Sequence, residues 1–574
     1  MRFKVMSLCF IGALVGLSAC SQQVEQAPAS TAAQTPAKSK IGIKPFGTAD
    51  PNFKPDYSSL PPEIQKVFAY IDEHVDDEVE RYRNWLRQPS ISNSGEGIPE
   101  SADMVKGFFE ELGCQEARVY DTGITEYGSP GNPVVFIKCD EGQPKTLLFY
   151  MQADTMPVTQ PDNWIAPPFE ARIVDGQTAA VPGASRVVIA RGATNSKGRH
   201  AAQLGALRAW RAVNGKFPVN IMYSAEFDEE RMDIGLRKFM ADHSDLMQEA
   251  DALYRGGPSE GCVYVELTTS GKSWGRGPVQ SDIHGSNMRT VDSPAWRHIH
   301  ALASLTSEDG NTPLIKGFFE NKELPTADEV ADMKRRAARM DLAAEAKTLG
   351  VARYKWDDPY MVIKGREFET SFNVDGIWGG NMYAGGAGAI MPNKVTSKHN
   401  FRYVPRMMGL DIVKKLRAQL DANGYKDVEV KLIGDVPWSR GSKLDTDISN
   451  AHRKSTETMM KLGFVGAPPP APTTSAALGP SYFEEEPTGG YWPSYLYTDG
   501  EVGEKIGSVS IPMGVADPGG GGGGRAHAAN EYYTLEAIEK DGGFAYNEKA
   551  IILAVYEYSK LTTVPPKPKG GAAK

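Results

Sequence analysis

The sequence lacks the features of a nucleic-acid-binding protein and of a disulfide scaffold. Acidic residues outnumber basic ones, 72 to 63, the net charge is −9, and the basic residues form no concentrated stripe that would favour a phosphate backbone. Five cysteines occur in 574 residues, and no two of them form a metal-type Cys-x-x-Cys pair. We therefore expect no nucleic acid as a partner and a small molecule as the ligand.

The N-terminus has the pattern of a secretory signal. The apolar segment after Arg2 and Lys4 is short for a bilayer span and ends in small residues before Cys20. The tetrapeptide LSAC at 17–20 also resembles a bacterial lipobox, which implies cleavage before Cys20 and acylation of its thiol. We expect an exported lipoprotein, anchored to a membrane and facing the periplasm; an ordinary signal peptide that is simply removed is the alternative. With Cys9 and Cys20 set aside, three cysteines remain, and no disulfide framework is predicted.

Length and composition indicate a globular protein with more than one core. The chain is too long for a single domain, and 41% hydrophobic with 24% charged residues is ordinary for a soluble fold. Residues 21–60 are rich in Ala, Gln, Pro, Ser and Thr and are expected to form a flexible tether after the signal peptide at 1–20. The tail at 565–574 is expected to be disordered.

Helical and strand-like segments alternate through the first half of the chain. Apolar residues recur at helical spacing, or in short buried-strand runs, in 62–90, 101–114, 134–139, 145–153, 198–213 and 218–227. Such alternation predicts an α/β fold with a largely parallel sheet, and binding sites in such sheets lie at the carboxyl ends of the strands. Asp154 and Asn195 fall at such ends.

An acidic run also falls at a predicted strand end. Glu229 and Glu230, with Glu226 and Asp228 beside them, would repel one another unless a cation or a proton relieved them. A solvated acidic turn is the alternative for this segment alone. Far downstream, His527 lies in a short polar segment, where a lone histidine is more often a surface group than a ligand.

A series of segments, taken in chain order, resembles the motifs of one enzyme family. The segments are WIAPPFEARIVDG (164–176), ARGATNSKG (190–198), EFDEERMDIGL (226–236), DIHGS (282–286), VDGIWGG (374–380), FRYVP (401–405) and GVADPGGGGGGRAHAANE (514–531). They are similar to the motifs of aminoacylase, carnosine dipeptidase and glutamate carboxypeptidase, the metallopeptidase family M20. The resemblance implies a di-zinc catalytic domain over 61–261 and 436–564, with a parallel sheet flanked by helices. It also implies a smaller α+β lid domain over 262–435, through which such proteins usually dimerise.

The resemblance places the family's metal site on particular residues. The His-x-Asp motif falls on Gln152-Ala153-Asp154, so a zinc-binding histidine is replaced by glutamine while the acid that orients it is kept. The aspartate that bridges the two metals falls on Asn195. The Glu-Glu pair falls on Glu229, the family's general base, and on Glu230, a metal ligand.

The remaining ligands differ in how well they are kept. The last histidine of the family matches His527, but the aspartate expected within 253–259 has no counterpart there. Glu260 is the nearest acid, and His200 could partly replace the lost imidazole. Both ligands that bind only the second zinc in the family are therefore missing. Carboxamides are weak neutral donors for zinc. We expect at most one zinc per chain, with no metal as the alternative.

The resemblance also supplies substrate contacts. His284 matches a histidine that reaches the partner's active site and stabilises the oxyanion, and Arg402 matches the arginine that grips the substrate carboxylate. An ordinary surface arginine on a strand is the alternative for Arg402. The resemblance therefore implies a homodimeric zinc metallopeptidase of dipeptidase or carboxypeptidase type, which cleaves an amide in a dipeptide or an N-acylated amino acid. An altered homologue that binds a peptide-like ligand, or that runs another reaction in the same cleft, is the other class.

Overall fold

The computed structural model describes residues 41–255, 259–439, 446–464, 493–497, 512, 522–539 and 542–561. The predicted lipidation site, Cys20, and the tail at 565–574 lie outside the described residues. In the described part of the chain, no helix is long and apolar enough to cross a membrane.

The long helices follow the apolar spacing of the sequence. In α1 (Pro62–Arg87), apolar side chains recur every three or four positions from Ile64 to Leu86, and this face is buried. The other helices of the described residues are α2 (Ile98–Glu111), α3 (Gly198–Asn214), α4 (Ile234–His243), α5 (Gly271–Trp274), α6 (Pro294–Ala303), α7 (Ala327–Ala337), α8 (Leu342–Leu349), α9 (Pro359–Phe368), α10 (Gly409–Ala422), α11 (Asp447–Lys461) and α12 (Phe544–Lys560).

The strands form three larger sheets and one two-stranded ladder within the described residues. They are β1 (Glu116–Tyr120), β2 (Val134–Cys139), β3 (Thr146–Gln152), β4 (Arg172–Asp175), β5 (Ala184–Ile189), β6 (Asn220–Glu226), β7 (Ala252–Leu253), β8 (Gly261–Ser270), β9 (Ile283–His284), β10 (Ser371–Trp378), β11 (Ile390–Met391), β12 (Lys394–Tyr403), β13 (Glu429–Val436), β14 (Gly523–Gly524) and β15 (Tyr532–Ala537).

The first sheet has the order β1-β2-β6-β3-β7. Strand β3 runs parallel to β6 and β7, whereas β2 runs antiparallel to β1 and β6. The sheet is therefore mixed, because residues 140–145 are too few to form the crossover that parallel β2 and β3 would need. Every residue of β3 is buried, since helices α1, α3 and α12 cover one face and α4 covers the other. This explains the uninterrupted apolar character of its sequence.

The second sheet pairs a strand from the C-terminal part of the chain with strands from its first half. Its order is β14-β15-β5-β4, and β15 pairs antiparallel with β5, with Tyr532 opposite Ile189. Residues just before β15 therefore lie beside the loop that follows β5. This pairing joins segments more than 300 residues apart in sequence.

The third sheet, β10-β12-β8-β13, is antiparallel throughout. Apolar residues of α6 and α10 pack on one of its faces with residues of β8 and β12. This is the helix-on-antiparallel-sheet arrangement that the resemblance implies for the lid, while the domain bounds at 262 and 435 stay a prediction.

The N-terminal tether is shorter than the composition indicated. Residues 41–60, predicted as part of a flexible segment, pack against the fold: Ile43 and Leu60 are buried. The backbone N–H groups of Gly42 and Ile43 donate to the carboxylate of Asp76 at 2.7 and 2.6 Å. Composition did not indicate this, because these contacts come from α1 and not from the apolar content of the segment itself.

A disulfide joins Cys114 to Cys139, contrary to the expectation that no disulfide framework forms. Cys114 lies just before β1 and Cys139 ends β2, and the antiparallel register sets Glu116 opposite Lys138. The two Cα atoms are therefore only 4.2 Å apart. Counting cysteines did not reveal the pair, because the hairpin register that brings the two together is set by tertiary contacts. Cys262 is free and buried.

Candidate functional site

The carboxyl ends of β3 and β6 bring the acidic residues of the two predicted motifs together. Gln152 at the end of β3 lies opposite Glu226 at the end of β6. Glu229 and Glu230 follow in a short 3₁₀ turn. Asp154 is fully buried and accepts a hydrogen bond from the backbone N–H of Glu230 at 3.1 Å, which joins the two strand ends.

Three of the predicted metal ligands converge at one point. Asn195 Nδ2 donates to Glu230 Oε1 at 2.7 Å and lies 3.0 Å from His527 Nε2. His527 Nε2 is also 3.0 Å from Glu230 Oε1. The three side chains come from the loop after β5, the turn after β6 and the segment before β15, so the pairing of β15 with β5 assembles the group.

The side chain of Gln152 forms hydrogen bonds with Glu229 and Ser196. Its Nε2 donates to Glu229 Oε2 at 2.7 Å, and its Oε1 accepts from Ser196 Oγ at 2.8 Å. The residue that replaces a metal-binding histidine of the family therefore contacts the predicted general base.

A buried glutamate holds the loop that carries Asn195. Glu531, fully buried, accepts hydrogen bonds from the backbone N–H groups of Gly192, Thr194 and Asn195 at 2.9–3.0 Å. It also forms an ion pair with buried Arg191 at 2.8 Å. The loop is thus fixed by one carboxylate from the opposite end of the chain.

The site concentrates negative charge away from water. Burial, together with the charges of Glu230 and Glu226, raises the pKa of Asp154 well above its usual range. Burial and the negative charges of the neighbouring carboxylates raise the pKa of Glu229. The positive charge of Arg255 opposes that rise. Desolvation lowers the pKa of His527, whose side chain is half exposed, but the hydrogen bond and charge of Glu230 outweigh it, so this pKa is raised. Each of these shifts indicates charge that a bound cation would relieve.

The donor set fits one cation. Asp154 Oδ1 is buried and has no hydrogen-bond partner among the described residues, so the negative charge near Glu230 is incompletely neutralised. Glu230 and His527 supply a carboxylate and an imidazole, the ligands that zinc prefers besides thiolate, and rotation of the Asn195 amide would present its oxygen. In the described part of the chain no three His, Cys, Asp or Glu side chains are grouped to hold a metal, so a three-residue site here would need the Asn195 amide oxygen beside Glu230 and His527.

The two residues considered as replacements for lost ligands are engaged elsewhere. His200 is fully buried, and its Nε2 accepts the backbone N–H of Gln152 at 3.1 Å while its Nδ1 lies 3.1 Å from Gln203 Oε1. Burial lowers the pKa of His200 to about 3, so the ring is neutral. Glu260 accepts a hydrogen bond from Arg402 Nη1 at 3.0 Å. The ring of His200 therefore has no free lone pair for a second metal, and Glu260 is ion-paired with Arg402.

The predicted substrate residues lie on the third sheet and the small ladder. Arg402 is on β12 and pairs with Glu260, as described above. Burial raises the pKa of the Tyr264 hydroxyl; the charge of Arg402 lowers it and that of Glu230 raises it. His284 is exposed on β9, with its Nδ1 2.8 Å from Ser286 Oγ.

Sequence reasoning missed four residues at the site: Arg191, Ser196, Arg255 and Glu531. Three of them, Arg191, Ser196 and Glu531, lie inside the quoted motifs at 190–198 and 514–531. Their position next to predicted site residues was the signal that could have identified them. Arg255 is the only charged residue of 253–259, the segment where an acid was expected.

Comparison with known proteins gives consistent results. The family described as Peptidase family M20/M25/M40 matches residues 148–475, more than half of the chain. Beta-Ala-His dipeptidase of Homo sapiens is 23% identical over 415 residues, covering 66% of this chain and 77% of that protein. Cys-Gly metallodipeptidase dug1 of Schizosaccharomyces pombe is 26% identical over 370 residues, covering 60% and 72%. The crystal structure of human carnosine dipeptidase 1 has a TM-score of 0.68 at 20% identity and covers 87% of this chain and 100% of that one, which confirms the α/β fold class.

Proposed function

The chain belongs to the peptidase family M20/M25/M40, as its motifs predicted, and on this premise we propose that it hydrolyses the amide bond of a dipeptide or an N-acylated amino acid using one bound metal ion. The hydrolase class follows from the family; the substrate and the metal count are the proposal. The observation that carries it is the convergence of Asn195, Glu230 and His527 next to Glu229.

Asn195, Glu230 and His527 would hold the metal, and zinc suits the imidazole and carboxylate among them. When bound, such an ion polarises a carbonyl and lowers the pKa of water. The second metal position of the family is poorly suited to a cation here. Gln152 is a neutral carboxamide already bonded to Glu229, and the only charged residue of 253–259 is a cation, Arg255.

Glu229 would act as the general base. Its carboxylate is buried beside the metal position, and burial with neighbouring carboxylates raises its pKa, which makes it a stronger base than an exposed glutamate. In the proposed reaction Glu229 removes a proton from the attacking water and later gives it to the leaving amine. Asp154 stays behind the site, bonded to the backbone of Glu230.

Arg402 would bind the substrate carboxylate. Its planar guanidinium can make two parallel hydrogen bonds to a carboxylate. Because Glu260 now bonds to it, a substrate must displace or share that contact, which favours small substrates with a free carboxylate over neutral ones.

We further propose a homodimer in which the partner subunit's His284 completes each cleft and stabilises the oxyanion. Two observations support this. His284 is exposed, and the outer strand β10 leaves Val374, Ile377 and Trp378 exposed to solvent at the edge of the third sheet. An apolar, unpaired sheet edge of this kind is a surface that a second copy can cover.

Export as a lipid-anchored periplasmic protein is the remaining part of the proposal. The lipobox-like sequence before Cys20 supports it. The disulfide between Cys114 and Cys139 also supports it, because disulfides persist in oxidising compartments and are rare in the cytosol.

The test combines metal analysis with a dipeptidase assay on the purified full chain. We expect one zinc per chain and release of amino acid from dipeptides or N-acylated amino acids. Glu229→Gln is expected to lower kcat by roughly 10²- to 10⁴-fold while the zinc content stays the same, because a general base is not a ligand. Glu249→Gln, which alters a partly exposed carboxylate paired with Lys138, is the matched control and should change neither value.

Two results would contradict the proposal. Two zinc ions per chain would show that the second site is intact. Absence of cleavage by zinc-loaded protein, with no difference for Glu229→Gln, would favour the altered homologue that binds a peptide-like ligand.

A further inference from the structure

We propose that Gln152 is a positioning residue for Glu229: the side chain at a lost metal-ligand position now orients the general base by a hydrogen bond. The inference rests on the proposed function, because it assigns a partner to the base of that reaction. The substituted residue thus has a role besides the loss of a second metal ligand: it orients Glu229.

The hydrogen-bond network fixes the orientation of the Gln152 amide. Glu229 Oε2 is 2.7 Å from Nε2, and Glu229 must be ionised to act as a base; in that form it can only accept, so the amide nitrogen faces Glu229. The amide oxygen then faces Ser196 Oγ, which donates to it at 2.8 Å. Both polar ends of the side chain are therefore satisfied in one orientation only.

The backbone of Gln152 is held as firmly as its side chain. Its N–H donates to His200 Nε2 at 3.1 Å, and the next N–H, that of Ala153, donates to the Glu226 carbonyl at 2.9 Å. Gln152 itself is 3% exposed. A glutamine side chain has considerable rotamer entropy, and these fixed contacts remove it before the substrate binds.

Ser196 connects this network to the metal position. Its Oγ is 2.8 Å from Gln152 Oε1 and 3.2 Å from Asn195 Oδ1, so one hydroxyl lies between the amide that holds the base and the amide proposed as a ligand. A hydroxyl has one hydrogen, and the shorter contact assigns it to Gln152. The base and the metal ligand thus share one polar neighbour.

A cation could not easily take the place of the Gln152 amide. A metal that binds Gln152 would have to break its 2.7 Å hydrogen bond to Glu229 and would gain from Gln152 only a neutral carboxamide oxygen. The residue at the lost ligand position and the proposed general base are instead hydrogen-bonded directly to each other.

The experiment compares Gln152→Met, Gln152→His and Ser196→Ala with the wild-type protein. Methionine has a similar length but cannot donate to Glu229, whereas a histidine ring N–H can. Gln143→Met is the matched control, because Gln143 is a partly buried glutamine that donates to the Phe217 carbonyl away from the site. Each protein is assayed for kcat, KM, zinc content and zinc affinity by competition with a chelator.

We expect Gln152→Met to lower kcat by about 10- to 100-fold, a part of the contribution of a general base, with KM within about threefold and zinc binding unchanged. Gln152→His should recover most of this loss without raising the zinc content. Ser196→Ala should lower kcat less, and its effect should largely disappear in the Gln152→Met background, because the two residues act in one chain of bonds.

Three outcomes would overturn the inference while the proposed function stands: an unchanged kcat in Gln152→Met, a rise in KM at constant kcat, or loss of zinc together with kcat. The last would make Gln152 a metal ligand. If the zinc-loaded wild-type protein cleaves no substrate at all, the proposed function fails and takes this inference with it, so the two failures are distinguished by the wild-type assay.

Discussion

Replacing Glu531 with glutamine should weaken both the fold and the metal site. Each carboxylate oxygen of Glu531 serves two donors: Oε1 accepts from Thr194 and Asn195, and Oε2 accepts from Gly192 and Arg191. A glutamine keeps one oxygen and turns the other into a donor. Two of the four donors must then face an amide N–H₂ at a fully buried position.

The magnitude follows from burial. Arg191 and Glu531 are 1% and 0% exposed, so the substitution leaves a buried guanidinium without its counter-charge. Removal of one partner of such a pair costs about 3–5 kcal/mol, and a buried donor without an acceptor costs about 1–3 kcal/mol. These costs overlap, and we expect a loss of about 4 kcal/mol in the free energy of unfolding. Since Glu531 also holds the loop that carries Asn195, zinc affinity should fall at least about tenfold, which corresponds to about 1.4 kcal/mol.

Urea unfolding and zinc competition measure the two effects. The matched control is Glu536→Gln, on β15, the strand that begins directly after Glu531. Its buried carboxylate also accepts several hydrogen bonds but pairs with Arg186, whose side chain is 25% exposed. We expect the control to lose about 1–2 kcal/mol, because water can reach the guanidinium, and to bind zinc as the wild type does. A Glu531→Gln protein as stable as this control, or with unchanged zinc affinity, would refute the reasoning.

Two further predictions concern parts of the fold away from the site. Replacing both Cys114 and Cys139 with serine removes a cross-link between residues 25 apart in sequence. The chain-entropy relation gives a loss of about 3–4 kcal/mol in the free energy of unfolding. Urea unfolding of the variant, and of the wild-type protein with and without reductant, measures this loss. Burial lowers the pKa of His298 and of His399 to about 4. Unfolded histidines take up a proton near pH 6.5, so between pH 6.5 and 4 the unfolded state binds more protons and stability falls as the pH falls. Thermal unfolding at pH 7 and pH 4.5 should show a large drop for the wild type and a smaller one for His399→Gln; equal drops would contradict the assignment.

The sequence by itself determined the class of the protein. The spacing of apolar residues located α1, α3, β2, β3 and β6 within a few residues, because one face of a helix or both faces of a central strand must be apolar to be buried. The ordered motifs identified the family, since they fix residue types at positions where chemistry permits few alternatives. The same motifs revealed the substitutions at 152 and 195, which no inspection of the fold alone would have singled out.

Only the tertiary structure decided what the substituted residues do. Gln152 is bonded to Glu229 and Ser196, which lie 77 and 44 residues away in sequence, and Glu531 holds a loop more than 300 residues away. Such contacts depend on which strands become neighbours and in which register, and short-range sequence patterns carry no information on that. For the same reason the sequence left the disulfide and the packing of residues 41–60 unpredicted: a pair of cysteines or a polar segment gains its partner from the rest of the fold.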